Sequence, residues 1–173
     1  MSGHHAGYES LLRGRQAQLL SAWRELVLAS FPEPTARFMR REQDPFRNPL
    51  GSCIREGTEA LLEGIVQGRS LHDLDGPLDR LVRFRAVQGQ PPSQALEFVF
   101  LLKRACRETL GDGLDGAALA ALDQRIDGLA LCAFDAYCKC REEIHEIRLR
   151  EVRRRVATAF ERLTAGQEQE SAP

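Results

Sequence analysis

Pro92-Ser93-Gln94-Ala95-Leu96-Glu97-Phe98-Val99-Phe100-Leu101-Leu102-Lys103 is the stretch on which the fold turns. Gly89, Pro91 and Pro92 end whatever precedes it, and Ser93 carries a side-chain oxygen suited to capping a new helix. From Ala95 to Leu102 nearly every residue is apolar, and the helical pattern stops only at Gly111 and Gly113. A helix that is apolar all round belongs at the centre of a molecule. The other segments must then be amphipathic and close around it.

The flanking sequence has that character. Towards the N-terminus, Leu11, Leu12, Leu19, Leu20, Trp23, Leu26, Val27 and Phe31 recur at helical spacings, predicting one amphipathic helix from Tyr8 to Phe31 that Pro32 and Pro34 stop. Thr35 to Arg41 reads as a short helical turn. Asn48 is a good N-cap and Pro49 suits a first helical position, so a second long helix starts there, carries Leu50, Ile54, Leu61, Leu62, Ile65 and Val66, and closes at Gly68. Ser70 and Asp73 form a capping-box-like pair before Leu74, Leu78, Leu81, Val82 and Phe84.

The last helix starts near Asp115 and meets no clear stop before Gly166; Gly128 weakens it without ending it. Such a helix would be roughly 70 Å long. A compact domain of this size spans only about 30–40 Å. The helix must therefore kink or project, and its C-terminal part carries a possible seam. Glu142, Leu149, Val156 and Leu163 share one heptad position, and Cys138, His145, Val152 and Ala159 share its partner. Leu149, Val152, Val156 and Phe160 are the candidate contacts of a homodimer along that stripe, with packing on its own domain as the alternative. Residues 1–7 read as a flexible N-terminus, 8–165 as a single domain and 166–173 as a disordered tail.

Composition narrows the function classes. The 173 residues carry a formal charge of -1, so no whole-protein field draws the chain to nucleic acid or an anionic membrane. No apolar run approaches the ~20 residues needed to span a bilayer, and no secretory signal is visible. Five cysteines without export signals suggest reduced thiols and a cytoplasmic location. The basic clusters Arg37, Arg40, Arg41 and Arg153 to Arg155 are balanced by nearby glutamates and read as solvated helix faces.

Cys138-Lys139-Cys140, with His145 beyond, holds the densest group of polarisable side chains. Two residues on a helix are about 200° apart, so Cys138 and Cys140 cannot chelate one ion together. Cys132, Cys138, Cys140 and His145 are the candidate residues of a thiol-redox or metal-responsive protein; burial as small apolar residues is the commoner role of cysteine. A reactive thiol would need its pKa depressed by neighbouring arginines. Asp123, Asp127 and Asp135 have no evident catalytic partner, and there is no glycine-rich phosphate loop and no HExxH. An enzymatic reading has no residue to stand on.

Four blocks resemble a known family in order and spacing. They are Asp44-Pro45-Phe46-Arg47-Asn48-Pro49-Leu50-Gly51; Val82-Arg83-Phe84-Arg85-Ala86-Val87-Gln88; the quoted stretch with Ser93, Gln94, Ala95, Phe98, Leu102 and Lys103; and Phe134-Asp135-Ala136-Tyr137 with Glu151-Val152-Arg153-Arg154. Together they resemble the N-terminal domain of RsbRD-type proteins, the RsbT co-antagonists of the bacterial stressosome, from about Leu11 to Arg155. The resemblance implies an all-α, globin-like helical bundle with a long C-terminal helix. It also implies no haem or other cofactor and a dimeric sensory module that relays a signal to a partner protein. The co-antagonists continue into a phosphate-accepting STAS domain, which this sequence does not include. Free-standing domains of this kind are associated with sulfur metabolism as well as stress regulation.

Overall fold

The stretch 92–103 is helical, but it forms two helices and lies only partly in the core. The computed structural model describes the backbone of residues 6–170 and the side chains of residues 8–160 except Asp112; the expected flexible N-terminus and the last three residues lie largely or wholly outside them. A short helix α6 (Pro92–Ala95) ends at Leu96, and α7 (Glu97–Leu110) starts again in a new direction. Ser93 does not act as the cap. Pro91 occupies that position, and no side-chain cap bond forms. Ala95, Phe98, Val99 and Leu102 are buried, whereas Phe100 is 52% exposed. An apolar face does not by itself mean a covered one: α7 has neighbours on one side, and Phe100 lies on the other.

The remaining helices are α1 (Ala6–Gly14), α2 (Gln16–Ala29), α3 (Glu33–Arg41), α4 (Pro49–Val66), α5 (Asp75–Val87) and α8 (Gly116–Glu170). No strand occurs among the described residues. The single helix expected from Tyr8 to Phe31 is thus broken at Arg15, whose backbone leaves the helical region while its guanidinium donates to Thr109 O on α7 at 2.6 Å. That long-range anchor has no local signature. Pro34 lies in the first turn of α3 and so begins a helix as well as ending one.

Locally encoded boundaries fall where the side chains dictate. Asn48 caps α4, its Oδ1 accepting from Gly51 N at 2.8 Å. Ser70 and Asp73 exchange bonds, Ser70 N donating to Asp73 Oδ2 at 3.1 Å, around the 3₁₀ turn His72–Leu74 that leads into α5. Asp115 caps α8 through Ala118 N at 2.7 Å.

Helix α2 lies against α7 and α4, α4 against α5, and α8 against α5 and α7, which closes the ring. Trp23 of α2 is wholly buried and donates its Nε1–H to Phe98 O at 2.7 Å. That bond satisfies the polar end of the largest core side chain, as burial requires. On α4, a Cβ at Gly57 would sit 2.5 Å from Leu81 of α5 and one at Gly64 would run into Leu74 of the 3₁₀ turn, so α4 meets both almost backbone to side chain. Helix α8 is continuous through Gly128 and Gly166 to Glu170. Its 55 residues make a rod of about 80 Å. It stays one helix, and beyond Ile144 it projects.

Candidate functional site

Helix α8 has two apolar faces, and only one is covered. Leu122, Ile126, Leu129, Ala133, Tyr137 and Cys140 are buried against the domain, and Ile144 is half-buried at its edge. From residue 145 to residue 160 every side chain is exposed. The second face consists of Leu131, Phe134, Leu149, Val152, Val156 and Phe160, which are 41–68% exposed. With Cys138, Glu142 and His145 between them, these residues fall within an arc of about 80° on a regular helix. The four residues expected to form a seam are thus the distal part of a longer stripe that starts on the body of the domain.

Helix α7 widens the stripe. Lys103 Nζ meets Asp127 Oδ1 at 2.7 Å and Asp123 Oδ1 at 3.8 Å, and Arg107 meets Asp123 at 3.1 Å. These pairs fix α7 antiparallel to α8 and bring Phe100, one turn before Lys103, level with the Ala130–Phe134 turn. Asp123 and Asp127, which looked unpartnered in the sequence, are the acceptors of that clamp. Sequence reasoning missed Phe100, Leu131 and Phe134 as surface residues because an apolar side chain carries no mark of which face of its helix stays uncovered.

The cysteines and histidines do not converge. Cys140 faces the core, Cys138 is half-buried on the free face, and Cys132 lies beside a groove of about 460 Å³ with Asp75, Asp135 and Lys139. All five thiols are free, and no three His, Cys, Asp or Glu side chains among the described residues could hold one metal ion. Burial pushes the Cys106 thiol up to about 12 and raises Cys140, Cys132 and Cys53 above the usual thiol value. This is the reverse of what activates a thiolate. His72 is exposed and bonded to Asp75 through Nδ1 at 2.8 Å, and His145 is exposed on the projecting rod. Neither faces the α4–α5 contact, which Leu81 and Leu74 fill.

The motif residues mostly tie helices together at their corners. Asn48 Nδ2 donates to Met39 O at 3.1 Å and to Glu42 O at 2.8 Å, joining α3 to α4. In the turn before Pro49, Asp44 Oδ1 accepts from Phe46 N at 2.9 Å, and Phe46 itself stands 95% exposed. Arg85 is buried: one Nη donates to Gln94 O at 2.9 Å, the guanidinium lies 4.9 Å from the Phe31 ring and 5.7 Å from Phe98, and Nη2 meets no partner among the described residues. Burial lowers its pKa, and the aromatic faces offset part of that cost. Tyr137 Oη donates to Gln90 O at 2.8 Å, fastening the α5–α6 corner to α8. Ala86, Ala95, Phe98 and Leu102 are core; Val87 and Ser93 are surface; Phe134 lies on the free stripe.

The family model of the RsbT co-antagonist protein rsbRD N-terminal domain matches residues 17–155. This chain belongs to that family. No curated protein and no solved structure matches it. The RsbRD match takes in every motif block and ends within the projecting half of α8, so the stripe is largely inside the family domain. The all-α architecture is consistent with the globin-like fold of RsbRD domains, and membership makes the chain a stressosome-related regulatory domain. Among the described residues no helix is long and apolar enough to cross a membrane.

Proposed function

We propose that this RsbRD domain is a non-enzymatic sensory module that pairs with a second copy along the free face of α8 and relays a signal to a partner protein in stress regulation. One observation carries the reading: an apolar stripe runs from Leu131 to Val156 on a rod that leaves its own domain at Ile144. Exposed apolar residues gathered on one face and rimmed by charge mark an interaction surface, and a partner helix would remove them from water. Val152 and Val156 lie in its distal part. Glu142 and His145 interrupt the stripe, and a polar residue at a seam position costs stability while fixing register.

Sedimentation velocity tests the reading. The wild-type chain is expected to run as a dimer, and the Val152→Asp/Val156→Asp double variant as a monomer with an unchanged circular dichroism spectrum. A double variant that remains dimeric removes this face from the interface. A wild-type chain that is monomeric at high concentration removes the pairing itself.

A further inference from the structure

Helices α2, α3 and α4 enclose an open groove of about 470 Å³, on a side of the domain to which α8 contributes no residue. We propose that it binds a small amphiphilic anion, a carboxylate carrying an aliphatic chain, with its head on Arg55 and its chain along Leu20, Leu28, Met39 and Ile54.

Charge decides the head group. Three guanidinium groups, Arg24, Arg40 and Arg55, line the groove against a single carboxylate, Glu25. Arg40 engages that carboxylate through Nε at 3.1 Å and approaches Glu33 at 4.0 Å. Arg24 reaches away from the groove to Glu59 at 2.9 Å and spends further donors on Thr58 Oγ1 and Arg55 O. Arg55 alone forms no ion pair among the described residues; its one protein acceptor is Gln43 O at 3.1 Å. A carbonyl accepts a hydrogen bond but does not balance a full charge. Arg55 therefore keeps donors in the planar fork that fits a carboxylate with two parallel bonds.

The walls decide the rest of the ligand. Met39 and Ile54 are buried at the base, and Leu20 and Leu28 are half-buried at the side. No aromatic side chain lines the groove among the described residues, so a stacked base or ring finds no platform, whereas a flexible chain finds aliphatic contacts on both sides. Methionine suits such a wall, because its unbranched thioether adapts to chains of different shape. The volume lies in the range typical of small-molecule sites.

Calorimetric titration of the full chain with octanoate, below its micellar threshold, tests the assignment. Octanoate should bind saturably, acetate should not because it lacks the chain, and octylammonium should not because its charge is reversed. Arg55→Gln should weaken octanoate about tenfold, the loss of one charge-assisted contact, with an unchanged melting curve. Should that variant fail to fold, Leu28→Asp, which sets a carboxylate in the wall, must abolish uptake. Absence of saturable octanoate binding overturns the proposal. So does octylammonium binding as tightly as octanoate, or wild-type affinity in a folded Arg55→Gln variant. The measurement does not depend on whether α8 pairs, so a monomeric chain leaves this test intact.

Discussion

The covered and free faces of α8 carry the same repeats and differ in where they run. On the covered face Leu122, Ala133 and Ile144 recur every eleven residues, and Ile126, Ala133 and Cys140 every seven. On the free face Phe134, His145 and Val156 recur every eleven, and Cys138, His145 and Val152 every seven. Both spacings lie close to whole turns of a helix with about 3.6 residues per turn. Neither apolar content nor period separates the two faces. Their extent does: the covered face ends at Ile144, because Arg148, Glu151 and Arg155 occupy its continuation and are all exposed, while the free face goes on through Leu149, Val152 and Val156.

The contrast can be broken at its strong end. Leu129→Ala removes a wholly buried side chain from the covered face and should cost about 3 kcal/mol in denaturant unfolding, within the usual range for a buried leucine. A loss below about 1 kcal/mol would mean that this face is not holding the domain together.

The boundary gives a smaller, pH-dependent effect. Glu143 binds Arg83 of α5 at 2.7 Å where α8 leaves the domain, and this bond holds its carboxyl below the usual glutamate value. A lowered folded-state pKa stabilises above the unfolded value, and the gain disappears as pH falls through the folded one. Glu143→Gln should thus unfold more readily than wild type at neutral pH and match it in acid. Denaturation curves at successive pH values check this, and a difference that persists in acid would assign the effect to packing.

The weakest effect belongs to the rod. Removing residues 148–173 should leave the unfolding free energy of the domain within about 0.5 kcal/mol, as expected where no core contact is lost. At the same time it should erase any rise of the melting midpoint with protein concentration, the mark of stabilisation by a second copy. A truncated chain that melts well below the wild type at high dilution would show the rod supporting its own domain.

What the sequence made legible follows the reach of the interactions involved. Asn48, Pro49, Asp115 and the Ser70–Asp73 pair act on backbone groups within three residues of themselves, and their helices start where the side chains require. The breaks at Arg15 and Leu96 were not legible. The first is tied to Thr109, far along the chain, and the second lies inside an unbroken apolar run. The same limit governs the candidate site. The heptad of Leu149, Val152 and Val156 is a property of one helix and could be read directly. The exposure of Leu131, Phe134 and Phe100 depends on which neighbours α7 and α8 lack, and no residue records that. The thiols were the opposite case: Cys138-Lys139-Cys140 stands out as a string of letters, but the helix turns its two sulfurs towards different surroundings.

Because α8 is one continuous helix from Leu122 to Glu170, a tilt of its docked part would be carried to the far end past Ile144. The part beyond that point is about 39 Å long, so tilting the anchored part by about 5° would carry Glu170 through roughly 3 Å. A repacking too slight to disturb the core would thereby become, at the tip, a displacement comparable to the rise of two residues.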